Sequence, residues 1–261
     1  MLSKSDLHLE WVGLKTIARK EMVRIFRIWP QTLLPPAVTN TLYFLIFGGF
    51  IGSQVNDVQG VGYMNFIVPG LIMMSVVTTS YMNVVSTFFS AKFMRNIDEL
   101  LVSPLSNMSI LLGYVSGGIV RSVLVALIVT GISMFFTKIT LTHPWLILFT
   151  TLMTSLLFCL AGFINAVFAK KFDDISIVPT FVLTPLTYLG GVFYSIDQLP
   201  QFWRTLSLFN PILYLVNVFR YGFLGVSDIP VWNSVWVLCF FLIALFILAF
   251  WLLKRGIGLR S

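Results

Sequence analysis

The chain has 261 residues, of which 57% are apolar and 10% charged, with a mean hydropathy of +0.92 and a formal net charge of +7. Soluble globular domains carry roughly 25% charged residues, so this composition excludes that class and predicts an all-α polytopic membrane protein. In a multi-span protein a basic balance is typical of cytoplasmic anchoring and does not indicate nucleic acid as a partner.

The first predicted element is an amphipathic helix over residues 7–29. Its basic residues Lys20, Arg24 and Arg27 point away from the apolar positions, which recur at steps of three or four. The apolar set is Trp11, Leu14, Ala18, Met22, Ile25 and Trp29. A basic helix with tryptophans on its apolar side is typical of helices that lie in a membrane interface. A soluble helix that docks on the protein's own core has the same pattern and is the alternative.

Six membrane spans are predicted from the long uncharged segments and from the turn signals between them. Their bounds are 31–51, 64–90, 110–136, 145–168, 176–194 and 231–253. The fifth contains Pro179 and Pro185. Cys159 and Cys239 lie inside spans and are interpreted as packing residues.

Basic residues in short loops predict the orientation of the chain. Placing both termini in the cytoplasm leaves Lys138, Arg204 and Arg220 outside and Arg121 within a span. All the other residues among the 17 Lys and Arg then lie on the cytoplasmic side. The opposite topology would reverse that ratio, so cytoplasmic N- and C-termini are predicted.

Residues 91–105, between the second and third spans, form an island of charge. The charged residues, which recur at helical spacing, are Lys92, Arg95, Asp98 and Glu99. The run ends at Pro104, because proline cannot continue a helix. We predict a short amphipathic helix on the cytoplasmic membrane surface, which would give a soluble partner a contact with the two spans that it joins.

Residues 198–225 are too apolar for a simple exterior loop. Their two halves, on either side of Asn210-Pro211, are too short to cross a hydrocarbon core of about 30 Å. A re-entrant helical hairpin before the last span would satisfy its backbone hydrogen bonds internally or against neighbouring helices. A hairpin that lies flat at the interface is the alternative.

Arg121 is the charged residue within a predicted span, and such residues are functional candidates by default. A helix from Asn107 to Phe136 would be about 45 Å long. It exceeds the hydrocarbon core, so Arg121 can reach the interface or pair with a neighbour. We favour a structural role over contact with a substrate. Nearby, Gly113 and Gly117 form a small-residue patch that permits close helix packing.

The sequence contains no recognisable catalytic set. His8 and His143 are predicted on opposite sides of the membrane, and no Cys or His pattern has the spacing of metal ligands. There is no Gly-Lys dipeptide and therefore no P-loop, so any ATP must be bound by another chain. We therefore predict no catalytic, cofactor-binding or metal residues in this chain.

Two motifs, together with the topology, resemble the ABC type-2 exporter permeases, which include polysaccharide, lipid-linked and drug exporters. The first is Arg95-x3-Glu99-Leu100-Leu101-x-Ser103-Pro104-Leu105-Ser106, similar to the family's loop after span two. The second is Leu199-Pro200 through Leu206, then Asn210-Pro211-Ile212-x-Tyr214-x5-Arg220, similar to its C-terminal signature. Many members have Gly-Thr before the Glu-Leu-Leu, where this chain has Ile97-Asp98.

The resemblance implies a transport subunit that is not an enzyme, forming the translocation pathway of an ATP-driven exporter in a bacterial-type inner membrane. The implied partners are two copies of a cytoplasmic ATPase that binds ATP and Mg, a second permease chain (a homodimer rather than a heterodimer) and membrane lipid. The residues implied in ATPase coupling are Arg95, Asp98, Glu99 and Pro104. Those implied in an exterior gate are Asn210, Pro211, Tyr214 and Arg220.

Two other classes of function stay open at the level of the sequence. An ion or small-solute channel without an ATPase would show polar residues recurring on one face of several spans. Those found are widely scattered: Asn40, Asn83, Arg121 and Asn165. A membrane-embedded enzyme is disfavoured by the missing catalytic groups. The aromatic residues fit sugars, lipids and hydrophobic drugs alike as the transported substrate.

Overall fold

A computed structural model describes residues 4–52, 57–58, 60–138 and 140–258, and their side chains except those of 4–7 and 51. Arg260, one of the residues predicted to be cytoplasmic, lies outside the described residues. Within the described residues the regular structure is helical, and the only β-type pairing is an isolated bridge between Val58 and Val61.

The helices of the first part of the chain are α1 (Lys4–Arg27), α2 (Trp29–Tyr43), α3 (Tyr63–Phe93), α4 (Asn96–Val102), α5 (Asn107–Ser133) and α6 (Pro144–Phe168). Those of the second part are α7 (Asp174–Val178), α8 (Thr184–Tyr188), α9 (Gln201–Ser207), α10 (Pro211–Leu224) and α11 (Val231–Arg255). A π-helical segment, Phe44–Ile51, continues α2, and another, Pro179–Leu183, joins α7 to α8. A short 3-10 helix, Ile196–Gln198, precedes α9.

Ile28 separates α1 from α2. Its backbone (φ −112°, ψ 29°) is not helical, and Pro30 occupies the first turn of α2. Proline fits there because an N–H in the first turn has no partner within the helix. The first helix therefore ends at Arg27, slightly before the predicted end of the segment 7–29.

Among the described residues, five helical segments are long and apolar enough to cross a membrane. They are Trp29–Phe50, α3, α5, α6 and α11. These segments and the helical fold make the chain a multi-span all-α protein. The predicted fifth span, 176–194, is not among the five, so the six-span arrangement is not confirmed.

Prolines explain the interruption of the predicted span 176–194. Three consecutive segments of five residues each, α7, the π-helical segment and α8, occupy its place. At 1.5 Å per residue they cover about 22 Å, less than the hydrocarbon core. Pro179 and Pro185 have no N–H to donate, and the N–H of Thr184 bonds to the Pro179 carbonyl in the π-helical manner. The chain then turns at Gly191, whose φ is +70°.

Helix α3 is the centre of the bundle. In its most apolar window 83% of the residues are buried, against 11% for Trp29–Phe50 and 17% for α11. Helices α5, α6 and α10 surround it. At Gly162 of α6 an added Cβ would lie 2.5 Å from the Tyr81 carbonyl oxygen of α3, so glycine permits this backbone contact. The first and last long segments lie at the periphery.

Helix α1 packs along the first half of α5. Ile17, Glu21 and Ile25 are buried, whereas Trp11 and the nearby Trp29 stay exposed. The predicted apolar face is therefore divided, because part of it docks on the bundle and its tryptophans face outward. Glu21, which the sequence did not single out, lies on the buried side.

Candidate coupling site

The turn between α3 and α4 is tighter than the predicted helix over 91–105. Helix α3 ends at Phe93, and Arg95 adopts the left-handed conformation (φ 60°) before α4 begins. Lys92 therefore belongs to the end of α3. Its Nζ donates to the carbonyls of Val167 (2.6 Å) and Ala169 (2.8 Å) at the end of α6. The expected position of Lys92 on the charged face of the short helix is wrong, since these carbonyls bind it.

Helix α4 is amphipathic over its seven residues. Ile97 is buried, while Asp98 and Glu99 are exposed in the first turn, where negative charge favours the helix dipole. Val102 is 88% exposed on the same outer surface. The predicted residues Asp98 and Glu99 thus share an outward patch with an apolar side chain. Pro104 follows the last turn and is exposed.

Glu10 of α1 binds the first turn of α5. Its carboxylate accepts hydrogen bonds from the Ser106 N–H (2.7 Å), from the Ser106 hydroxyl (2.8 Å) and from the Ser109 hydroxyl. The Ser106 side chain also caps α5 by accepting from the Ser109 N–H. The hydrogen bond from the Ser109 hydroxyl lowers the pKa of Glu10 below its ordinary value. The bonds from the Ser106 hydroxyl and the Ser106 N–H lower it further. This contact fixes α1 to the loop that follows α4.

Glycines let α1 approach α5 closely. Cβ atoms added at Gly113 and Gly117 would lie 2.6 Å from Ile17 Cγ2 and 2.7 Å from Glu21 Cβ, respectively. The small-residue patch noted in the sequence is therefore the surface against which α1 packs. A side chain there would push the two helices apart.

A buried polar network continues this contact into the bundle. The Arg24 guanidinium pairs with Glu21 (3.1 Å) and donates to Asn83 Oδ1 (2.7 Å). Arg121 donates to the same Asn83 oxygen (3.5 Å) and to the Thr32 carbonyl (3.3 Å). Glu21 is only 2% exposed, and burial raises its pKa, an effect that Arg24 partly offsets. The network joins α1, α2, α3 and α5, and Arg121 contributes its bonds to α2 and α3.

Three of the four predicted gate residues meet at the turn between α9 and α10. Pro211 is the first residue of α10, and Asn210 caps it by accepting from the Ile212 N–H (3.0 Å). The Asn210 amide also donates to the Leu186 carbonyl (2.5 Å), and the Tyr214 hydroxyl donates to the Leu208 carbonyl. The bond to Leu186 holds the hairpin against α8, and the other two stabilise the turn itself.

Arg220, the fourth predicted gate residue, is buried further along α10. It donates to the Gly191 carbonyl (2.5 Å), lies 3.7 Å from an Asp228 oxygen and stacks 3.7 Å above the Phe66 ring. Phe66 is near the start of α3, whereas Lys92 is near its end. The hairpin and the coupling site therefore lie at opposite ends of the central helix.

A small groove with a mostly apolar surface lies between α2 and α3. Its volume is about 250 Å³, and its lining includes Thr39, Tyr43 and Thr78. The Asn40 amide donates to the Pro36 carbonyl and to the Ser75 hydroxyl, each at 2.7 Å. The hydroxyls of Ser75 and Thr78 also donate to carbonyls of their own helix, so these polar groups are satisfied within the protein.

The family of the chain follows from comparison with known families. Residues 12–224 match the ABC-2 type transporter. The chain belongs to this family. The match covers nearly all of the elements above, from α1 through α10, and makes the chain the membrane permease component of a transporter.

Several curated proteins are similar to the permease over almost its whole length. The inner membrane transport permease YadH of Escherichia coli K12 is 56% identical over 256 residues, covering 98% of this chain and 100% of that protein. Nodulation protein J of Rhizobium leguminosarum biovar viciae is 26% identical over 241 residues, covering 89% and 92%. Nodulation protein J of Rhizobium meliloti is 24% identical over 241 residues, covering 89% and 90%.

Sequence reasoning missed several residues of the permease's coupling site. Ser106 carries a local signal, because serine is a preferred N-cap residue at a helix start, whereas Ser109 carries none. Glu10 and Glu21 carry none, since their partners come from distant segments. Val102 was missed because the periodic pattern marks it only as another apolar residue.

Proposed function

We propose that this permease forms the translocation pathway of an ATP-driven exporter and that a separate cytoplasmic ATPase drives it. The observation that carries the proposal is the outward patch of Asp98, Glu99 and Val102 on α4. The buried Ile97 holds that helix, and helices continuous with the bundle flank it. An exposed patch that mixes charge with one prominent apolar residue suits a soluble protein partner.

The contacts around α4 explain how movement of an ATPase would reach the spans. Ser106, which caps α5 after the short loop that follows α4, is bound by Glu10 of α1, and α1 is bound through Arg24 to Asn83 of α3. Pushing α4 would therefore shift α1, α3 and α5 together. Two ATPase copies that close on ATP and Mg would rock two permease chains between inward- and outward-facing states.

The groove between α2 and α3 supports a pathway between two copies of the permease. It opens beside the least buried long segment, Trp29–Phe50, whose exposed side chains need a covering surface within the membrane. A second copy facing this surface would enclose the groove. The hairpin around Asn210 and Pro211 would then close the exterior end of the pathway as a gate.

The proposed location is the inner membrane with both termini in the cytoplasm. The name of the similar YadH protein and the basic residues at the α4 end support it. The chain itself would carry out no catalysis, and the bound nucleotide would belong to the partner.

Affinity purification of the tagged chain from native membranes tests the proposal. We expect a P-loop ATPase in stoichiometric amount, lost when Arg95→Ala and Glu99→Ala are combined. The control combines Asp173→Ala with Lys254→Ala, which also removes one charge of each sign from exposed positions at the same end of the bundle. Wild-type protein recovered without an ATPase would contradict the proposal and favour a channel or an enzyme that works alone.

A further inference from the structure

A basic pocket with an aromatic rim opens beside the coupling site. Its volume is about 470 Å³, and it lies where the end of α3, the end of α6 and the residues after α11 meet. Its basic side chains are Lys92, Arg95 and Lys170, and its aromatic ones are Phe89, Phe93 and Phe168.

Two of the three basic groups are available to a ligand. The Lys92 ammonium at the base of the pocket is held by the two carbonyls at the end of α6. The side chains of Arg95 and Lys170 are exposed and make no hydrogen bond or ion pair with the described part of the chain. The nearby Asp174 carboxylate accepts from the backbone N–H groups of Lys170 and Lys171. The Asp174 carboxylate also interacts electrostatically with Lys170 and Lys171 and offsets part of their charge. With three basic side chains in its lining, the pocket keeps a net positive charge.

The rim of the pocket is apolar and exposed. Phe93, Phe168 and Phe172 are large uncovered hydrophobic side chains. Phe172 packs edge-on against Phe89 and Phe93, with ring centroids 5.0 Å apart in both pairs. A small soluble anion makes no use of such a rim, whereas a molecule with an anionic head and apolar chains contacts both surfaces.

We propose that this pocket binds an anionic phospholipid. Arg95 and Lys170 would bind the headgroup phosphate above Lys92, and the acyl chains would lie along Phe93 and Phe168. The pocket is at the ends of two long apolar helices, which is the depth of lipid headgroups, and basic pockets between membrane helices are typical sites for them. A bound lipid would bridge the turn before α4 and the loop after α6. This binding needs neither an ATPase nor a substrate.

Native mass spectrometry of the full chain purified in detergent tests the proposal. The titrants are phosphatidylglycerol, phosphatidylcholine and inorganic phosphate. We expect retained phosphatidylglycerol and weaker binding by the combined Arg95→Gln and Lys170→Gln variant. Each basic residue at an anionic membrane surface strengthens binding by about fivefold, so the double variant should weaken it by roughly 25-fold. Lys92 is left in place because it holds the end of α6.

The control combines Lys15→Gln and Lys20→Gln, which removes two exposed charges from α1 at the same end. Equal weakening in both double variants would overturn the pocket, because general attraction to basic protein would then explain binding. Equal retention of phosphatidylcholine, or displacement of the lipid by inorganic phosphate, would overturn the anionic lipid as ligand. A pocket variant that keeps its lipid but loses the co-purifying ATPase would assign the pocket to the protein interface.

Discussion

Glu10 and Glu21 lie on the same helix but in opposite electrostatic settings. Hydroxyl groups and an N–H solvate the ionised form of Glu10, which lowers its pKa. Burial against α5 disfavours the ionised form of Glu21 and raises its pKa, although Arg24 offsets part of this effect. The pKa values of these two carboxylates of α1 are therefore shifted in opposite directions.

The pH dependence of unfolding should separate these carboxylates. The pKa of Glu21 in the folded state lies above its ordinary value of 4.5, so folding binds a proton across that interval. Stability should then fall as the pH rises from 4.5 through the raised value, and Glu21→Gln should remove this fall. Glu10 stabilises above 4.5 and loses its contribution as the pH drops through its lowered pKa. Thermal unfolding in detergent from pH 3.5 to 7.5, a range of about four pH units, measures the pH-dependent contribution of each carboxylate to stability. The same pH profile in the two Gln variants would contradict the assignment.

Arg220 should tolerate no conservative replacement. Its guanidinium donates to a carbonyl, lies close to a carboxylate and stacks on an aromatic ring at the same time. A lysine ammonium cannot make all three interactions. We expect Arg220→Lys to lower the free energy of unfolding by about 2–3 kcal/mol. Arg204→Lys is the control, because Arg204 pairs with Asp197 at the exposed surface and should change stability by less than about 1 kcal/mol. Denaturant unfolding of both variants measures the difference, and equal losses would contradict it.

At the scale of elements, the patch on α5 decides where α1 lies. Gly117 faces the Cβ of Glu21, an atom fixed by the helix backbone, whereas Gly131 on the same helix has no neighbour within 4 Å of an added Cβ. The two glycines therefore lie on the same helix, but only Gly117 is in close contact with α1.

Alanine should have opposite effects at these two positions. We expect Gly131→Ala to be neutral or to stabilise by up to about 1 kcal/mol, because alanine favours helix. Gly117→Ala should force α1 away from α5, destabilise the protein and expose α1 to protease. Limited proteolysis and thermal unfolding of the two variants check this. Equal protection of α1 in both would mean that the patch does not set the position of α1.

The sequence predicted best those helices that are long segments without charged residues. The predicted spans 64–90, 110–136 and 145–168 lie within three residues of the bounds of α3, α5 and α6. Composition alone fixes such segments, because membrane helices must be long and apolar. The span at 176–194 is not confirmed, since three short helical segments occupy its place and the two prolines within it have local consequences that hydropathy ignores.

The coupling site was predictable only where a local pattern marks it. The charge of Asp98 and Glu99 and the stop at Pro104 indicated a short helix. The sequence could not show that Lys92 would bind the end of α6, or that Arg24 would turn inward to meet Asn83. Both contacts depend on helices that are distant in the chain. A periodic pattern alone does not show which of its charged residues turn toward such a helix.

At the scale of the whole molecule, both peripheral segments expose apolar side chains that their surroundings must cover. On Trp29–Phe50 the exposed set includes Val38, Leu42 and Phe50, and on α11 it includes Trp232, Trp236, Phe240, Ile243, Ile247 and Trp251. Because the groove lies beside the first segment, the proposed pathway predicts a second permease chain there and lipid along the last.

Cysteine cross-linking in native membranes tests this arrangement. Val38 and Ile243 are matched, being 56% and 58% exposed on Trp29–Phe50 and α11, respectively. In a Cys239→Ser background, which leaves the buried Cys159, we expect Val38→Cys to give a cross-linked dimer and Ile243→Cys to give none. Dimers from Ile243→Cys alone would place the partner on α11.

The bond between Glu10 and Ser106 also sets an order for biogenesis. The two residues are 96 positions apart, and synthesis proceeds at about 5–20 residues per second. Ser106 is therefore made roughly 5–20 s after Glu10. During that interval the ribosome completes α2 and α3 while α1 has no docking surface. The exposed Trp11 gives the nascent helix an apolar anchor at the bilayer surface until α5 arrives. The N-terminal helix is thus the first element made, but it can dock only after α5 has been made.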